Sequence, residues 1–438
     1  MLGRRDVMGL GLAAAASMVG RPARAAHDDL ARAAEAAWIW SVPLIENARA
    51  RSGALETLEP GQLFHNRDLT TIATQRVTTP NNDTLYSRAW IDLAAGPVRL
   101  HIPPMGGRYY SAALMDMYAT NFAVLGSRTL GPGGADVTIV GPDAAAAPGA
   151  VRSSTRWCWL LVRILVGDAD DLPNVRALQD RIRLTRHAAA RPSRPATRDA
   201  PWDAYFASAQ QLLAENPPPM RDLGLLRRIA PLGLGPGQRF DPDRFGAGER
   251  AAIERGVDAA RAQVENARRH GLAADGWLYP KSNAGQFETD YVYRAQIAIS
   301  GLGMLPVAEA MYLRALGPDG KVVLPPASGY HLRFPPGGAP PNQAFWSLTM
   351  YEAMADGRFF FAANPIDRYA IGDRTRGLKT GADGSLEIWI SETPPAPERR
   401  SNWLPAPAGR PFSLVMRIYG PSDGLLTGAY RLPPLRRL

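Results

Sequence analysis

The segment TPNNDTLYSRAW, residues 79–90, places amide, carboxylate and phenol side chains at the start of an alternating, strand-like pattern. Asn81, Asn82 and Asp83 favour a turn, because such side chains hydrogen-bond to nearby backbone groups. Three adjacent side chains of this kind exceed what one turn needs, and Tyr86 follows at a spacing that adds a phenol to the same patch. Two interpretations stay open, a structural turn that leads into a strand and a ligand-binding site.

A second polar cluster interrupts the apolar run LMDMYATNF, residues 114–122, with Asp116, Tyr118 and Asn121. If residues 113–118 form a strand, Asp116 and Tyr118 project from one face, because side chains alternate along a strand. A carboxylate there either meets solvent or is buried with a partner. We favour a polar sheet face over a ligand site at this position.

Two arginines could bind an anionic group. In ETDYVYRAQ, residues 288–296, Asp290 and Arg294 lie four residues apart and share one face of a predicted helix, which favours a structural salt bridge. Glu288 and Tyr291 could extend that pair into a polar pocket. Arg368 opens RYAIGDRTRGL, whose GDR triplet predicts a turn with an ion pair between Asp373 and Arg374.

Two tryptophans are candidate apolar walls of a pocket, Trp346 and Trp403. Trp403 lies in SNWLPAPAG, where prolines predict a rigid loop that holds the indole over another surface. That surface is usually the core of the protein itself.

Charge and motifs exclude several function classes. The net charge of +9 comes almost entirely from arginines scattered among acidic residues, without a basic block that carries interleaved aromatics, so nucleic-acid binding is disfavoured. The six histidines show no metal-ligand spacing, and we predict no metal site. GxSxG, HExxH, Walker and dinucleotide-binding motifs are missing, and the sequence does not identify a cofactor.

The single cysteine, Cys158, lies in an apolar run, which favours a buried inert thiol.

The first residues are typical of an export signal. Paired arginines precede an apolar stretch and the triplet Ala23-Arg24-Ala25, which predicts a signal peptide over residues 1–25 and favours the twin-arginine route. The apolar stretch is short and rich in alanine and glycine for a membrane span. We therefore expect a periplasmic or otherwise exported protein that does not associate with a membrane after cleavage.

The pattern of the remaining chain alternates between helical and strand-like segments. It predicts a helical lead-in at 26–75, a β-sandwich at 76–170, a helical insert at 171–315 and a second sandwich at 316–438, which is an α+β fold. Pro43 should kink or divide the first helix.

Several motifs resemble, in order, those of bacterial exported proteins that pair domains of unknown function 1254 and 1214. They are TPNNDTLYSRAWIDL, GRYYSAALMDMY, DYVYRAQIAISGLG, PPNQAFWSLTMYE, RYAIGDRT, GSLEIWIS and NWLPAPAGRPFSLVMRIYGP. The resemblance implies an immunoglobulin-like sandwich, a helical insert and a jelly-roll-like sandwich. It covers nearly the whole chain after the signal, least clearly at 191–237, and implies no reaction. It favours the ligand interpretation of residues 81–83 and Tyr86.

Three hypotheses follow. In the first, the two sandwiches and the insert enclose a small organic ligand, and the residues that would contact it are Asn81, Asn82, Asp83, Tyr86, Asp116, Tyr118, Asn121, Arg294, Trp346, Arg368 and Trp403. In the second, a hydrolase or lyase uses Asp83 and Asp116 as an acid/base pair, which requires them to lie within ~10 Å. In the third, edge strands mediate assembly or homo-oligomerisation without a small-molecule site.

Overall fold

Helices and β-sheets both contribute to the fold, which belongs to the α+β class as predicted. The computed structural model describes residues 23–438 apart from 146–147, 188, 190, 268–270 and 327–328. The α-helices are α1 (Ala23–Ala54), α2 (Leu172–Gln179), α3 (Trp202–Glu215), α4 (Leu223–Ile229), α5 (Ala247–Asn266), α6 (Tyr291–Ser300) and α7 (Asp423–Leu426). The strands are β1 (Phe64–His65), β2 (Thr84–Asp92), β3 (Val98–Ile102), β4 (Tyr110–Asp116), β5 (Asn121–Gly126), β6 (Ala135–Val140), β7 (Val151–Arg152), β8 (Trp157–Leu165), β9 (Arg183–Leu184), β10 (Leu272–Ala274), β11 (Trp277–Tyr279), β12 (Ala310–Ala315), β13 (Tyr330–Phe334), β14 (Asn342–Ala353), β15 (Phe359–Phe360), β16 (Ala370–Gly372), β17 (Leu386–Ser391), β18 (Trp403–Pro405), β19 (Phe412–Pro421) and β20 (Arg436–Arg437).

Two sheets form the N-terminal unit. Sheet A has the strand order β1-β2-β8-β4-β5, and sheet B has the order β7-β6-β3-β9. Alternate side chains of each sheet point into one shared core, which contains Leu85, Ile91, Leu100, Leu114, Ile139, Leu160 and Val162. The opposite face of sheet A, its outer face, therefore remains to contact the rest of the molecule.

Two further sheets form the C-terminal unit. Sheet C has the order β10-β11-β12-β19-β14-β15, with β16 paired to β14, and sheet D has the order β18-β17-β13-β20. These sheets also share one core, which contains Leu313, Leu332, Phe334, Trp346, Leu348, Ile388, Leu404 and Met416. The long strands β14 and β19 pair over most of their length and give sheet C its centre.

The helices pack around α1, which contacts α3, α4, α5 and α6. Small residues allow α1 and α5 to approach closely. A Cβ atom at Gly256 of α5 would lie 2.1 Å from the carbonyl oxygen of Ala31, so only glycine fits at this crossing.

The outer face of sheet A is divided between the helices and sheet C. Trp90 and Trp157 pack into the helical core. Ala113, by contrast, lies in a cluster with Phe345 and Tyr419 of sheet C. The three parts of the fold therefore meet on this one face, which is where buried polar groups concentrate.

The predicted helical insert contains more strand than expected. Strands β10, β11 and β12 fall within 171–315, yet they belong to sheet C. Similarly, β1 and β9 extend the N-terminal sheets beyond the predicted range 76–170. Strands of two or three residues are too short to show an alternating pattern, which is why the sequence did not reveal most of them. The tract 191–237 contains α3 and α4.

The first helix differs from its prediction at Pro43, because α1 runs through this residue as a single element. Packing of α1 against four other helices offsets the roughly 3 kcal/mol that an interior proline costs. Most of the predicted signal peptide, residues 1–22, lies outside the described residues. Across the described part of the chain, no helix is both long enough and apolar enough to cross a membrane.

The thiol of Cys158 is fully buried in the core between sheets A and B. Burial raises its pKa, and the negative charges of Asp116 and Asp92 add to the effect. We expect the folded protein to show no reaction with a thiol reagent at pH 8, and one thiol per chain to react after denaturation. Rapid labelling of the folded protein would contradict this burial.

Candidate functional site

The structure separates the predicted site residues into three groups. Asn81, Asn82, Asp83 and Tyr86 lie where sheet A meets sheet C. Asp116, Tyr118, Asn121 and Arg294 lie where sheet A meets the helical region. Trp346, Arg368 and Trp403 lie within the C-terminal unit.

The segment TPNNDT joins the two sheet units. The Asn81 side-chain oxygen accepts hydrogen bonds from the backbone N–H groups of Asp83, at 2.6 Å, and of Thr84, at 3.3 Å. This is the turn that the sequence predicts. The Asn81 amide also donates to the Tyr419 hydroxyl of sheet C at 2.8 Å. Asn82 is half-buried and makes no hydrogen bond within the described part of the chain. The turn interpretation therefore holds, and the same residues tie the units together.

Asp83 forms a buried ion pair across the same junction. Its carboxylate accepts hydrogen bonds from Arg374, at 2.6 Å, and from the Ser347 hydroxyl, at 2.7 Å. The predicted pair within the GDR triplet is much weaker, because the Arg374 Nε atom lies 3.9 Å from Asp373. Arg374 instead reaches the other unit, which the sequence could not show.

Asp373 is a titrating group at this junction. Burial raises its pKa to about 6, and the Trp346 N–H donates to its carboxylate at 3.0 Å. Because the folded protein holds this proton more tightly than the unfolded chain, stability should fall as the pH rises from about 4 to about 6. Asp373→Asn keeps an acceptor oxygen for Trp346, so we expect the variant to gain thermal stability over wild type at pH 7.5 and little at pH 4. An equal gain at both pH values would contradict the assignment.

The predicted acid/base pair is not assembled. The Asp83 carbonyl accepts a hydrogen bond from Val166, just beyond the last residue of β8, whereas Asp116 lies opposite Cys158 near its other end. Eight residues of strand separate these positions, which corresponds to about 26 Å. The two carboxylates therefore lie far beyond the ~10 Å within which such pairs work.

Three of the predicted ligand residues have structural roles in the C-terminal unit. Trp346 is buried in its core, beside Phe334. The Trp403 indole is buried and donates to the Ser391 carbonyl at 3.0 Å. Arg368 donates to the Trp403 carbonyl at 2.8 Å and so holds the proline-rich loop. These contacts explain the positions of all three side chains without requiring a ligand.

Arg294 stands apart from every other predicted site residue. Its side chain is 0% exposed, yet Nε, Nη1 and Nη2 all lack a hydrogen-bond partner among the described residues. The predicted salt bridge to Asp290 is wrong, because Asp290 caps the start of α6 and pairs with Lys281 at 2.6 Å. A buried guanidinium without acceptors costs several kcal/mol, so this group is unusual for a structural residue.

One aspartate faces Arg294 without hydrogen-bonding to it. The Asp222 carboxylate lies 3.9 Å from Arg294 and is also fully buried. Its oxygens accept hydrogen bonds from the Trp40 indole, at 2.7 Å, and from the Tyr291 hydroxyl, at 2.9 Å. Burial lowers the pKa of Arg294, while the charges of Asp222 and Asp116 oppose that effect. The guanidinium therefore has a neighbouring countercharge but no acceptor.

Aromatic rings form the walls around Arg294. Its Cζ atom lies 5.0 Å from the ring centre of Tyr291 and 5.8 Å from that of Tyr118. Trp40 packs against Tyr118 with ring centres 5.5 Å apart. Burial raises the pKa of Tyr291 to about 12, with the Asp222 charge as a second cause. Burial also raises the pKa of Tyr118. Both phenols therefore remain protonated at neutral pH, and each already donates a hydrogen bond, Tyr291 to Asp222 and Tyr118 to the Asn216 carbonyl.

Asp116 positions Tyr118 in this cluster. Strand β4 ends at Asp116, so Tyr118 lies in the following turn, and the two do not share a strand face as predicted. The Asp116 carboxylate accepts hydrogen bonds from the Tyr118 and Thr120 N–H groups, both at 2.9 Å, and from the Ser154 hydroxyl at 2.6 Å. Burial raises its pKa, while these hydrogen bonds and Arg294 lower it. Asn121 begins β5 after the turn, and its side-chain amide donates to the Met304 carbonyl at 2.8 Å.

An open cleft adjoins the cluster. It has a volume of about 750 Å³ and lies between α1, α4, α5 and α6. Its walls include Tyr291, which also borders Arg294, and the apolar side chains Ala36, Ile39, Leu225, Pro231 and Val292. Charged side chains at the cleft are Asp29, Arg32, Glu35 and Arg228. Tyr291 thus lies between the open cleft and a buried guanidinium that has no hydrogen-bond acceptor among the described residues.

Sequence analysis missed two residues of this cluster, Asp222 and Trp40. Asp222 follows a proline-rich stretch and precedes the apolar helix α4, a position where an aspartate usually indicates a helix cap. Trp40 lies in an apolar helical pattern, which indicates a core residue. Neither local pattern carries a signal for the partner that each one finds across the fold.

The described residues contain no group of three or more His, Cys, Asp or Glu side chains that could hold a metal ion. The Arg294 cluster instead has guanidinium N–H groups without acceptors inside an aromatic enclosure. Oxygen atoms are the acceptors that such groups require, and charge-assisted hydrogen bonds are the strongest of this kind.

The fold and this cluster define an α+β protein with two sheet units, in which the N-terminal unit and the helical region enclose a buried arginine. A family model described as "Protein of unknown function (DUF1254)" matches residues 60–186, and one described as "Protein of unknown function (DUF1214)" matches residues 309–423. The chain belongs to the family that pairs these two domains, as the sequence motifs predict.

A solved structure shows the same fold without indicating an activity. The chain is similar to the VPA0106 protein from Vibrio parahaemolyticus, with 23% identity, a TM-score of 0.70 and coverage of 94% of this chain and 100% of that one. A putative uncharacterized protein from Burkholderia cenocepacia aligns with 13% identity and a TM-score of 0.47, over 94% of this chain and 96% of that one. No curated protein matches the chain.

Proposed function

We propose that the protein binds a small organic anion whose oxygen atoms are held by Arg294. The observation that carries the proposal is a fully buried guanidinium whose three nitrogens lack partners among the described residues. A carboxylate would accept two parallel N–H bonds from this group, the geometry in which arginine binds most strongly.

The charges around Arg294 limit the ligand to at most one negative charge. Asp222 and Asp116 both act on the arginine, so one positive charge already faces two carboxylates. A phosphate with two charges would be poorly balanced in this enclosure. A monocarboxylate leaves fewer uncompensated charges, and the adjoining cleft can take its apolar body.

Neither alternative hypothesis has comparable support. The separation of Asp83 and Asp116 along β8 argues against the acid/base pair. An assembly module without a ligand site would not need a guanidinium in its core whose N–H groups lack acceptors. Homo-oligomerisation through edge strands remains compatible with ligand binding.

We also propose that the protein is exported to the periplasm, where the mature chain would meet small organic acids. The arginine pair and apolar stretch at the N-terminus support export.

We further propose that the two sheets of the N-terminal unit form an immunoglobulin-like sandwich and those of the C-terminal unit a jelly-roll-like sandwich. Each pair of sheets encloses one core, which supports this proposal.

Native mass spectrometry of the purified protein tests the proposal directly. We expect a surplus mass that is lost on denaturation and that corresponds to an organic acid. If the ligand dissociates during purification, acetate, benzoate and hexanoate should each raise the melting temperature, with sodium chloride at equal ionic strength as the control. Equal native and denatured masses, together with no shift from any of the three acids, would contradict the proposal.

A further inference from the structure

Arg294 has no surface that a ligand can reach in this conformation. Its side chain is 0% exposed, and the groups whose charges act on it are those of Asp222, Asp116, Tyr291 and Tyr118. Three of these four side chains are buried, whereas Tyr291 is half-buried and lines the open cleft. A ligand that comes from the cleft must therefore pass Tyr291.

Two contacts hold the Tyr291 side chain beside the arginine. Its hydroxyl donates to the Asp222 carboxylate at 2.9 Å, and its ring centre lies 5.0 Å from the Arg294 Cζ atom. The first contact is a charge-assisted hydrogen bond, and the second is a cation–π contact. Because both are made by the same phenol, rotation of this one side chain breaks both.

The surroundings of Tyr291 permit that rotation. The Trp40 indole donates to the same Asp222 carboxylate at 2.7 Å, so this buried acceptor keeps a partner when the phenol leaves. The start of α6 is held by its own cap, in which the Asp290 side chain accepts from the Tyr293 N–H. The cleft, with its volume of about 750 Å³, can receive the rotated ring. Opening thus needs no movement of the backbone.

We infer that Tyr291 is the gate of the Arg294 site. In the closed form its side chain blocks the way from the cleft, and a ligand binds only after the hydroxyl leaves Asp222 and the ring turns into the cleft. A carboxylate is smaller than a phenol ring, so the volume that the ring leaves can hold it beside the guanidinium nitrogens that lack acceptors. The inference rests on the proposed binding of an organic acid by Arg294.

A closed gate should lower the affinity and the association rate by the same factor. The measured dissociation constant of a ligand that binds only the open form is the intrinsic constant divided by the open fraction. The dissociation rate does not contain this fraction, because the bound protein is already open. A gate therefore has a kinetic signature that differs from that of an ordinary contact residue.

Tyr291→Phe tests the gate, because it keeps the ring and removes the hydrogen bond to Asp222. Benzoate should bind to this variant about 10- to 100-fold more tightly than to wild type, the value of one charge-assisted hydrogen bond. Stopped-flow tryptophan fluorescence should place the gain in the association rate, with the dissociation rate changed by less than about 3-fold. Isothermal titration measures the affinity, and circular dichroism confirms that the variant is folded.

A purely structural role for Tyr291 predicts the opposite sign. Loss of a hydrogen bond that shapes the site would weaken binding, and such changes act mainly on the dissociation rate. Tyr430→Phe is the matched control, because the half-buried Tyr430 hydroxyl donates to the Gly338 carbonyl at 2.8 Å in the C-terminal unit. This control should leave benzoate binding unchanged.

The outcomes separate the gate from the binding site itself. If wild type binds benzoate and Tyr291→Phe binds it equally or more weakly, the gate is wrong while the site at Arg294 stands. An equal gain in affinity in Tyr430→Phe would also overturn the gate. Absence of benzoate binding to both wild type and Tyr291→Phe would contradict the proposed function and the gate together.

Discussion

Replacing Arg294 with methionine should weaken binding of benzoate by at least about 100-fold. Methionine retains the length and apolar stem of arginine but removes all three nitrogens that lack partners. A bidentate carboxylate loses two charge-assisted hydrogen bonds, each worth about 1.5–3 kcal/mol. Isothermal titration of the wild type and the variant measures the change, and circular dichroism confirms that the variant is folded.

Two further substitutions make this result specific. Arg294→Lys keeps the positive charge but loses the planar fork, so its affinity should lie between those of wild type and Arg294→Met. Arg228→Met removes an exposed arginine from the adjoining cleft and should change the affinity less than about 3-fold, since exposed charges are screened. If Arg228→Met weakened benzoate binding as much as Arg294→Met does, the overall positive charge of the cleft would explain binding. The assignment of Arg294 as the binding residue would then be wrong.

The second large effect concerns the ion pair between Arg374 and Asp83, which joins the two sheet units. Arg374→Met should lower the free energy of unfolding by about 3–5 kcal/mol, because it leaves the carboxylate of Asp83 buried without its charged partner. The stem of methionine can still pack on Phe345, where the guanidinium now lies 4.5 Å from the ring centre. Urea denaturation at pH 7 measures the change.

Arg376 provides a matched control on the same loop. Arg374 and Arg376 each pair with an aspartate of the N-terminal unit at 2.6 Å, but their side chains are 24% and 71% exposed. Because exposed pairs contribute little, Arg376→Met should change stability by less than about 1 kcal/mol. Equal losses in both variants would show that burial of Asp83 is not the source of the stabilisation.

The candidate site could be predicted in part. Asp116, Tyr118 and Arg294 were identified from their polar character inside apolar patterns, and the structure brings these three together. The local rules that placed them were less accurate. Residue spacing alone predicted a salt bridge between Arg294 and Asp290 and a shared strand face for Asp116 and Tyr118. Both predictions are wrong, because Asp290 caps the start of α6 and β4 ends at Asp116.

Long-range contacts decided the rest of the site. Asp222 is 72 residues before Arg294 in the chain, and Trp40 belongs to the first helix. Their contacts depend on how α1, α4 and α6 pack, which no local pattern encodes. The same holds for Asp83, whose partners Ser347 and Arg374 lie in the other sheet unit.

The sequence by itself determined the α+β class, the succession of helical and strand segments, the two paired domains and the polar residues worth examining. These features follow from hydrophobic periodicity and from motifs of consecutive residues, which are local properties of the chain. Only the tertiary structure decided which polar residues stabilise the fold and which remain unpaired. That distinction depends on whether a buried donor finds an acceptor, and for Arg294 the answer rests on elements far apart in the chain.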